Sequence, residues 1–191
     1  YKGIADYIGH SDAELVGFST LDNVEGVYQV SSILRRKRSS VHITVGGNLA
    51  TFAHRLILKE CSAIDSVVRF EGEQPLVQLA RSLASDQDLS SVSGLTYRLG
   101  ADIIETAPTA SFENLDDLPF PTRYLPDSHY QSHPFNLIAS KGCYFRCTFC
   151  GVHRFYRDGP SLVKRYHSPG YVVDQIEKLI DCYGNNRFWF M

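Results

Sequence analysis

The sequence predicts an α/β protein, and three observations carry the prediction. Short apolar runs rich in β-branched residues alternate with stretches of helical period over residues 12–83, the pattern of a parallel sheet covered on both faces. Five of the eight prolines fall between residues 107 and 135, which ends that pattern. A strand, a helix and a strand then follow over residues 135–191, so the last quarter reads as the opening of a second domain.

Residues 12–22 hold an apolar run that ends in small polar residues, as a buried parallel strand does. From Gly26 to Arg38 the positions Val27, Val30, Ile33 and Leu34 recur at helical spacing. The run Arg35-Arg36-Lys37-Arg38 complements the dipole at that helix's C-terminal end, and is read so in preference to a localisation or nucleic-acid signal. Val41–Val45 is the second strand, followed by Gly46-Gly47 and a helix from about Thr51 to Glu60. Ser66–Phe70 supplies a third strand, and Gln74–Leu83 a helix with Leu76, Leu79, Ala80 and Leu83 on one face. Gly94–Arg98 and Asp102–Thr106, parted by Leu99-Gly100-Ala101, read as a hairpin. The proline-rich stretch with its acidic patch at Glu113–Asp117 is a linker or wrapping segment. The second domain begins with the strand Phe135–Ala139 and a cysteine-bearing loop. A helix follows over Gly170–Cys182, with Ser168 as N-cap and Pro169 in the first turn, then the strand Arg187–Met191. The expected division is residues 1–90, a connecting 91–134, and 135–191.

Of the 191 residues, 43% are hydrophobic and 21% charged, so the chain folds and is neither disordered nor coiled coil. Nineteen Lys and Arg against 21 Asp and Glu leave a net charge of −2, with no basic stripe interleaved with aromatics. Nucleic acid is therefore not expected as a partner. No apolar run reaches the ~20 residues that cross a bilayer, and no secretory leader pattern is present. The expectation is a soluble, cytoplasmic protein without a membrane partner. A chain that opens on Tyr1 and closes on the apolar Phe188-Trp189-Phe190-Met191 is expected to be part of a longer one.

Five cysteines are present, and Cys143, Cys147 and Cys150 share one eight-residue window, while Cys61 and Cys182 stand alone and read as packing residues. An odd count with tight clustering points to metal or redox chemistry rather than a disulfide framework. In Gly142-Cys143-Tyr144-Phe145-Arg146-Cys147-Thr148-Phe149-Cys150 the order is Cys-x3-Cys-x2-Cys. Three thiolates can hold three irons of a cubane cluster and leave the fourth open to a substrate. The rival is a Cys3His zinc site completed by His153, and the bland reading is three incidental thiols.

The spacing resembles the signature of the radical S-adenosylmethionine (SAM) enzymes, with Phe149 as the aromatic before the last cysteine. The resemblance implies that Cys143, Cys147 and Cys150 ligate a 4Fe-4S cluster. It implies that the open iron binds the amino and carboxylate groups of SAM, and that Phe149 lies beside the cluster with its backbone near the adenine. A small-molecule or natural-product substrate and an electron donor such as flavodoxin or ferredoxin follow from the same resemblance.

Upstream, Ser19-Thr20-Leu21 and Gly46-Gly47 resemble the Ser-x-Leu and Gly-Gly elements of the cobalamin-binding domain that precedes the barrel in one radical SAM subfamily. Phe70-Glu71-Gly72-Glu73 resembles its Gly-Glu-Gly-Glu element, with Phe70 departing at the first position. Residues 115–121 look like its inter-domain connection. The implied fold is a partial Rossmann-like cobalamin-binding domain, then the start of a partial (βα) barrel of TIM type. Ser19, Leu21, Gly46 and Gly47 would line the tail of the corrinoid. His10 does not match the subfamily's axial histidine motif, and His42 and His54 read as sheet-edge and helix-surface residues. The implied reaction is methyl transfer to an unactivated carbon or phosphorus centre, with the 191-residue chain inactive alone. The alternatives are a cobalamin-dependent cyclase or rearrangement enzyme, a radical SAM enzyme without bound cobalamin, and a zinc-stabilised interaction module.

Overall fold

The computed structural model describes residues 1–21, 23–110, 112–125, 127–159 and 163–191. Asp22, at the end of the first expected strand segment, and Pro126 of the proline-rich stretch lie outside them. The chain divides into two compact units, Tyr1–Ser111 with Asp158–Pro160, and Phe112–Arg157 with Ser161–Met191.

The first unit opens with helix α1 (Lys2–Gly9), which the sequence reading did not anticipate. Ala5 is fully buried and Ile8 packs on the core. With Ile4 and Tyr7 exposed, its apolar stripe is too mixed to show as a period. A five-stranded sheet follows, in the order β1 (Leu15–Ser19), β2 (His42–Gly46), β3 (Ser66–Val68), β4 (Leu95–Leu99) and β5 (Asp102–Glu105). The first three strands are parallel, with Val16 opposite Ile43 and Val45 opposite Val67. Helices α2 (Val24–Lys37) and α3 (Asn48–Glu60) make the crossovers. Ile43, Val45 and Val67 are fully buried, and Thr44 and Ser66 are buried between them, as in a parallel sheet covered on both faces.

Asn23 starts α2 by accepting the Gly26 N–H at 3.0 Å. In the basic run, Arg35 turns inward. Its guanidinium donates to the carbonyls of Ser39 (2.6 Å), Val41 (2.7 Å) and Ala63 (3.0 Å) and to the Asp65 carboxylate. Arg35 thus ties the end of α2 to the segments that lead into β2 and β3.

Helix α4 (Glu73–Ala84) buries Pro75, Leu79 and Ser82, with Leu83 partly covered. Leu76 and Ala80 of the expected face are exposed, because small Ser82 and the Pro75 ring define the buried stripe. The hairpin β4–β5 does not stand apart in the connecting segment. Strand β4 pairs antiparallel with β3, Thr96 opposite Val67, and its Leu95, Thr96 and Tyr97 are buried. The hairpin therefore completes the first sheet, and the unit runs to residue 111 rather than 90.

Two histidines also differ from expectation. His42 lies on an interior strand, its Nε2 2.9 Å from Ser66 Oγ. His54 faces β4, its Nδ1 3.0 Å from Thr96 Oγ1. Burial holds both imidazoles below the ordinary 6.5, against the opposing pull of Asp65 and Glu105 respectively.

In the second unit, α5 (Asp127–Ser132) leads into β6 (Phe135–Leu137), and α7 (Pro169–Tyr183) returns to β9 (Phe188–Phe190), which pairs parallel with β6. Tyr130, Phe135, Leu137 and Leu179 form its core. Ser168 Oγ accepts the Tyr171 N–H at 3.1 Å and Pro169 takes the first turn, while Gly184 ends α7 at φ +66°. Asp116 adds a second tie, accepting from the Ser168 N–H at 3.0 Å and facing His167 Nδ1 at 3.0 Å. Between β6 and α7 lie an antiparallel pair, β7 (Ser140–Gly142) with β8 (Lys164–Tyr166), and the short helix α6 (Val152–Arg157). Of the two lone cysteines, Cys61 is buried in the first core, whereas Cys182 is exposed on α7 and does not pack.

Candidate functional site

Two groups of chemistry-bearing residues emerge, one in each unit. In the first, β1 and β2 end in register, with Ser19 opposite Gly46. Thr20 N–H donates to the Gly46 carbonyl at 2.8 Å, so the chain leaving β1 is held against the chain leaving β2. Gly47 then adopts φ +101°, and a β-carbon on it would lie 2.6 Å from the Thr20 carbonyl oxygen and 3.2 Å from Ser19 Oγ. Only glycine fits that approach. Thr51 Oγ1 donates to the Gly47 carbonyl (2.9 Å) and accepts the Phe70 N–H (2.8 Å), tying the first turn of α3 to the chain beyond β3.

All of these positions lie at or just beyond the carboxyl ends of parallel strands, where open α/β sheets bind ligands. Gly47 is the N-cap of α3 and offers no capping side chain to its first turn. Ser19 is exposed, and Leu21 is 79% exposed. The structure thus brings Ser19, Gly46 and Gly47 together at one accessible edge, with Leu21 two residues beyond Ser19. Phe70, where the resembling element carries glycine, sits at φ +59°.

In the second unit the cysteine loop runs from β7 to α6. Gly142, immediately before Cys143, has φ +90°, and a β-carbon there would lie 2.0 Å from the Val163 carbonyl oxygen. Cys143 N–H donates to that same oxygen at 3.1 Å. Gly142 is thus a positioning residue that spacing alone did not single out, because the contact it accommodates is 21 residues away. Cys150 N–H donates to the Cys147 carbonyl at 3.1 Å, folding the last two thiols onto one turn. Cys147 is exposed, and Cys143 and Cys150 are half-buried.

Among the described residues no three His, Cys, Asp or Glu side chains converge closely enough to hold a metal ion. The three thiols share a loop but do not meet at one point, and His153 does not complete a fourfold set. Its Nδ1 lies 3.3 Å from the Cys150 carbonyl oxygen instead. Phe149, expected to pack, is 91% exposed, and Tyr144 and Phe145 on the same loop are exposed as well.

A family model for the B12 binding domain matches residues 2–80, the stretch that carries Ser19, Leu21, Gly46 and Gly47. The cobalamin-dependent S-adenosylmethionine radical enzyme OxsB, solved with aqua-cobalamin and S-adenosylmethionine, shares the fold. It superposes over 99% of this chain and 27% of its own at a TM-score of 0.77 and 20% identity. Residues 2–80 thus match the B12 binding domain, and the likeness to OxsB shows that the chain shares that enzyme's fold. The radical S-adenosylmethionine methyltransferase TsrM from Kitasatospora setae, with cobalamin and a [4Fe-4S] cluster, covers 100% of this chain and 40% of its own at a TM-score of 0.75 and 18% identity.

Among curated relatives of this chain, an uncharacterised methyltransferase of Pyrococcus horikoshii is 29% identical over 198 residues, covering 100% of this chain and 42% of itself. The anaerobic magnesium-protoporphyrin IX monomethyl ester cyclase of Cereibacter sphaeroides is 32% identical over 152 residues, covering 75% of this chain and 24% of itself. The chain thus spans less than half the length of either relative. No helix among the described residues is long and apolar enough to cross a membrane.

Proposed function

We propose that this chain carries the cobalamin-binding part and the cluster-binding loop of a cytoplasmic radical SAM enzyme whose reaction is methyl transfer to an unactivated carbon or phosphorus centre. The observation that carries the proposal is a Cys-x3-Cys-x2-Cys loop in the same chain as a B12-binding domain, each on its own folded unit. Cyclisation is the second reading, favoured by the relatives named as cyclases.

The residues present fit both groups. For a corrinoid, the exposed Ser19 hydroxyl, Leu21 and the side-chain-free Gly46-Gly47 backbone supply an open edge at the strand ends. For a 4Fe-4S cluster, Cys143, Cys147 and Cys150 supply three accessible thiols on a loop anchored by Gly142. Ligands rarely stand preassembled without their metal, so binding itself supplies the convergence. Three ligands leave one iron for SAM, beside which Phe149 would lie. When bound, the cluster supplies the electron for reductive cleavage of SAM, and the corrinoid supplies the methyl group. Electrons would come from a donor of the flavodoxin or ferredoxin class, and the substrate would be a small molecule or natural product. With the relatives more than twice as long, the 191-residue chain alone is expected to bind its cofactors without turning over.

Anaerobic reconstitution with iron, sulfide and hydroxocobalamin tests the proposal. The expected result is about four irons and four sulfides per chain with a corrinoid absorption band that survives gel filtration. Zinc without iron would overturn the cluster assignment in favour of a structural metal module. A cluster without corrinoid would overturn the cobalamin half alone.

A further inference from the structure

The second unit carries a cavity of about 200 Å³ between residues 120–123 and one face of α7. Phe120, Pro121, Leu179 and Tyr183 give it apolar walls, and Arg123 and Lys178 bring two cations to it. No Asp or Glu lines it, and no residue of the cysteine loop does.

Three side chains in this lining hold donors that no acceptor among the described residues takes up. Lys178 Nζ stands 5.4 Å from the centre of the Phe120 ring and has no ion pair among the described residues. Arg123 stands 5.8 Å from the Phe135 ring and donates once, to the Asn136 carbonyl at 3.3 Å, while its buried Nε has no hydrogen-bond partner. Gln175 is only 6% exposed, and its side-chain amide makes no hydrogen bond among the described residues. With no carboxylate in the lining, these donors leave the cavity without an acceptor of its own and suited to an anionic group.

We propose that this cavity binds a small carboxylate carried on an apolar ring. The carboxylate pairs with Arg123 and Lys178, the guanidinium offering two parallel donors. The Gln175 amide donates to the same group, and the ring lies against Phe120, Leu179 and Tyr183. A carboxylate is favoured over a phosphate because Lys178, Leu179, Cys182 and Tyr183 of the lining lie in the C-terminal half of α7, whose dipole disfavours a doubly charged anion more than a singly charged one. The volume admits a one-ring acid and not a nucleotide.

The test follows the Gln175 side-chain amide signal of the ¹⁵N-labelled 191-residue chain during titration with sodium benzoate, and in parallel with acetate, benzyl alcohol and inorganic phosphate. Benzoate is expected to shift that signal saturably, with each of the other three at least about tenfold weaker. Arg123→Gln and Lys178→Gln are each expected to weaken benzoate about tenfold, the loss of one charge-assisted hydrogen bond, with the rest of the spectrum unchanged. If Arg123→Gln disturbs the fold beneath Phe135, Lys178→Gln decides. No shift at millimolar benzoate, benzyl alcohol or phosphate or acetate binding as well as benzoate, or wild-type affinity in Lys178→Gln would overturn the proposal.

Discussion

Gly47 presses its backbone against Thr20 so closely that a β-carbon would stand 2.6 Å from the Thr20 carbonyl oxygen. That approach joins the ends of β1 and β2 and leaves Ser19, Gly46 and Gly47 on one accessible edge. Gly47→Ala introduces both the clash and an unfavourable φ. It is expected to lower stability by about 2 kcal/mol or more, read as a drop in the urea midpoint, and to weaken corrinoid retention in parallel.

Phe70 presents the opposite case. At φ +59° it holds a conformation that suits glycine, and its ring meets Phe52 edge-on at 6.5 Å. Phe70→Gly trades that ring contact for relief of backbone strain. Equilibrium denaturation is expected to show a change within about 1 kcal/mol of wild type, where truncating an unstrained buried phenylalanine costs about 3 kcal/mol or more.

Arg35 is the principal polar tie of the first unit. Its guanidinium serves three carbonyls and Asp65, whose carboxylate also accepts the Ile43 N–H at 2.7 Å. Arg35→Met removes every donor at once and is expected to cost about 2–3 kcal/mol, whereas Arg36→Met, with its side chain at the surface, is expected to change stability by less than about 0.5 kcal/mol. Urea melts of the two variants compare them directly.

The two inward histidines set an acid limit. Burial lowers both folded-state values below 6.5, so the unfolded chain binds protons first as pH falls. Their contribution is complete above the unfolded value and is lost as pH falls through it toward the folded values. The denaturation midpoint is expected to decrease between pH 7 and pH 5, and the double variant His42→Gln, His54→Gln to flatten part of that slope. An unchanged slope in the double variant would remove these histidines as its cause.

What the sequence revealed follows the range of the forces involved. Strands β1 to β3 and helix α7 were legible because β-branched runs, an N-cap serine and an N1 proline act within a few residues. Helix α1 and the pair β7–β8 were not, since each depends on a distant partner, Gly142 on Val163 above all. The buried stripe of α4 and the inward turns of Arg35, His42 and His54 were hidden for the same reason. Each is decided by which neighbour packs against the element, and the local pattern does not record that. In the candidate sites, the cysteine spacing and the paired glycines were legible as motifs. The exposure of Phe149 and the unpaired amide of Gln175 came only with the three-dimensional arrangement.

Ligation of a 4Fe-4S cluster by Cys143, Cys147 and Cys150 is tested by low-temperature EPR of the dithionite-reduced, reconstituted chain with and without SAM. The expected result is a 4Fe-4S signal that SAM perturbs and that Cys147→Ala abolishes. A signal indifferent to SAM, or one that survives in Cys147→Ala, would contradict it.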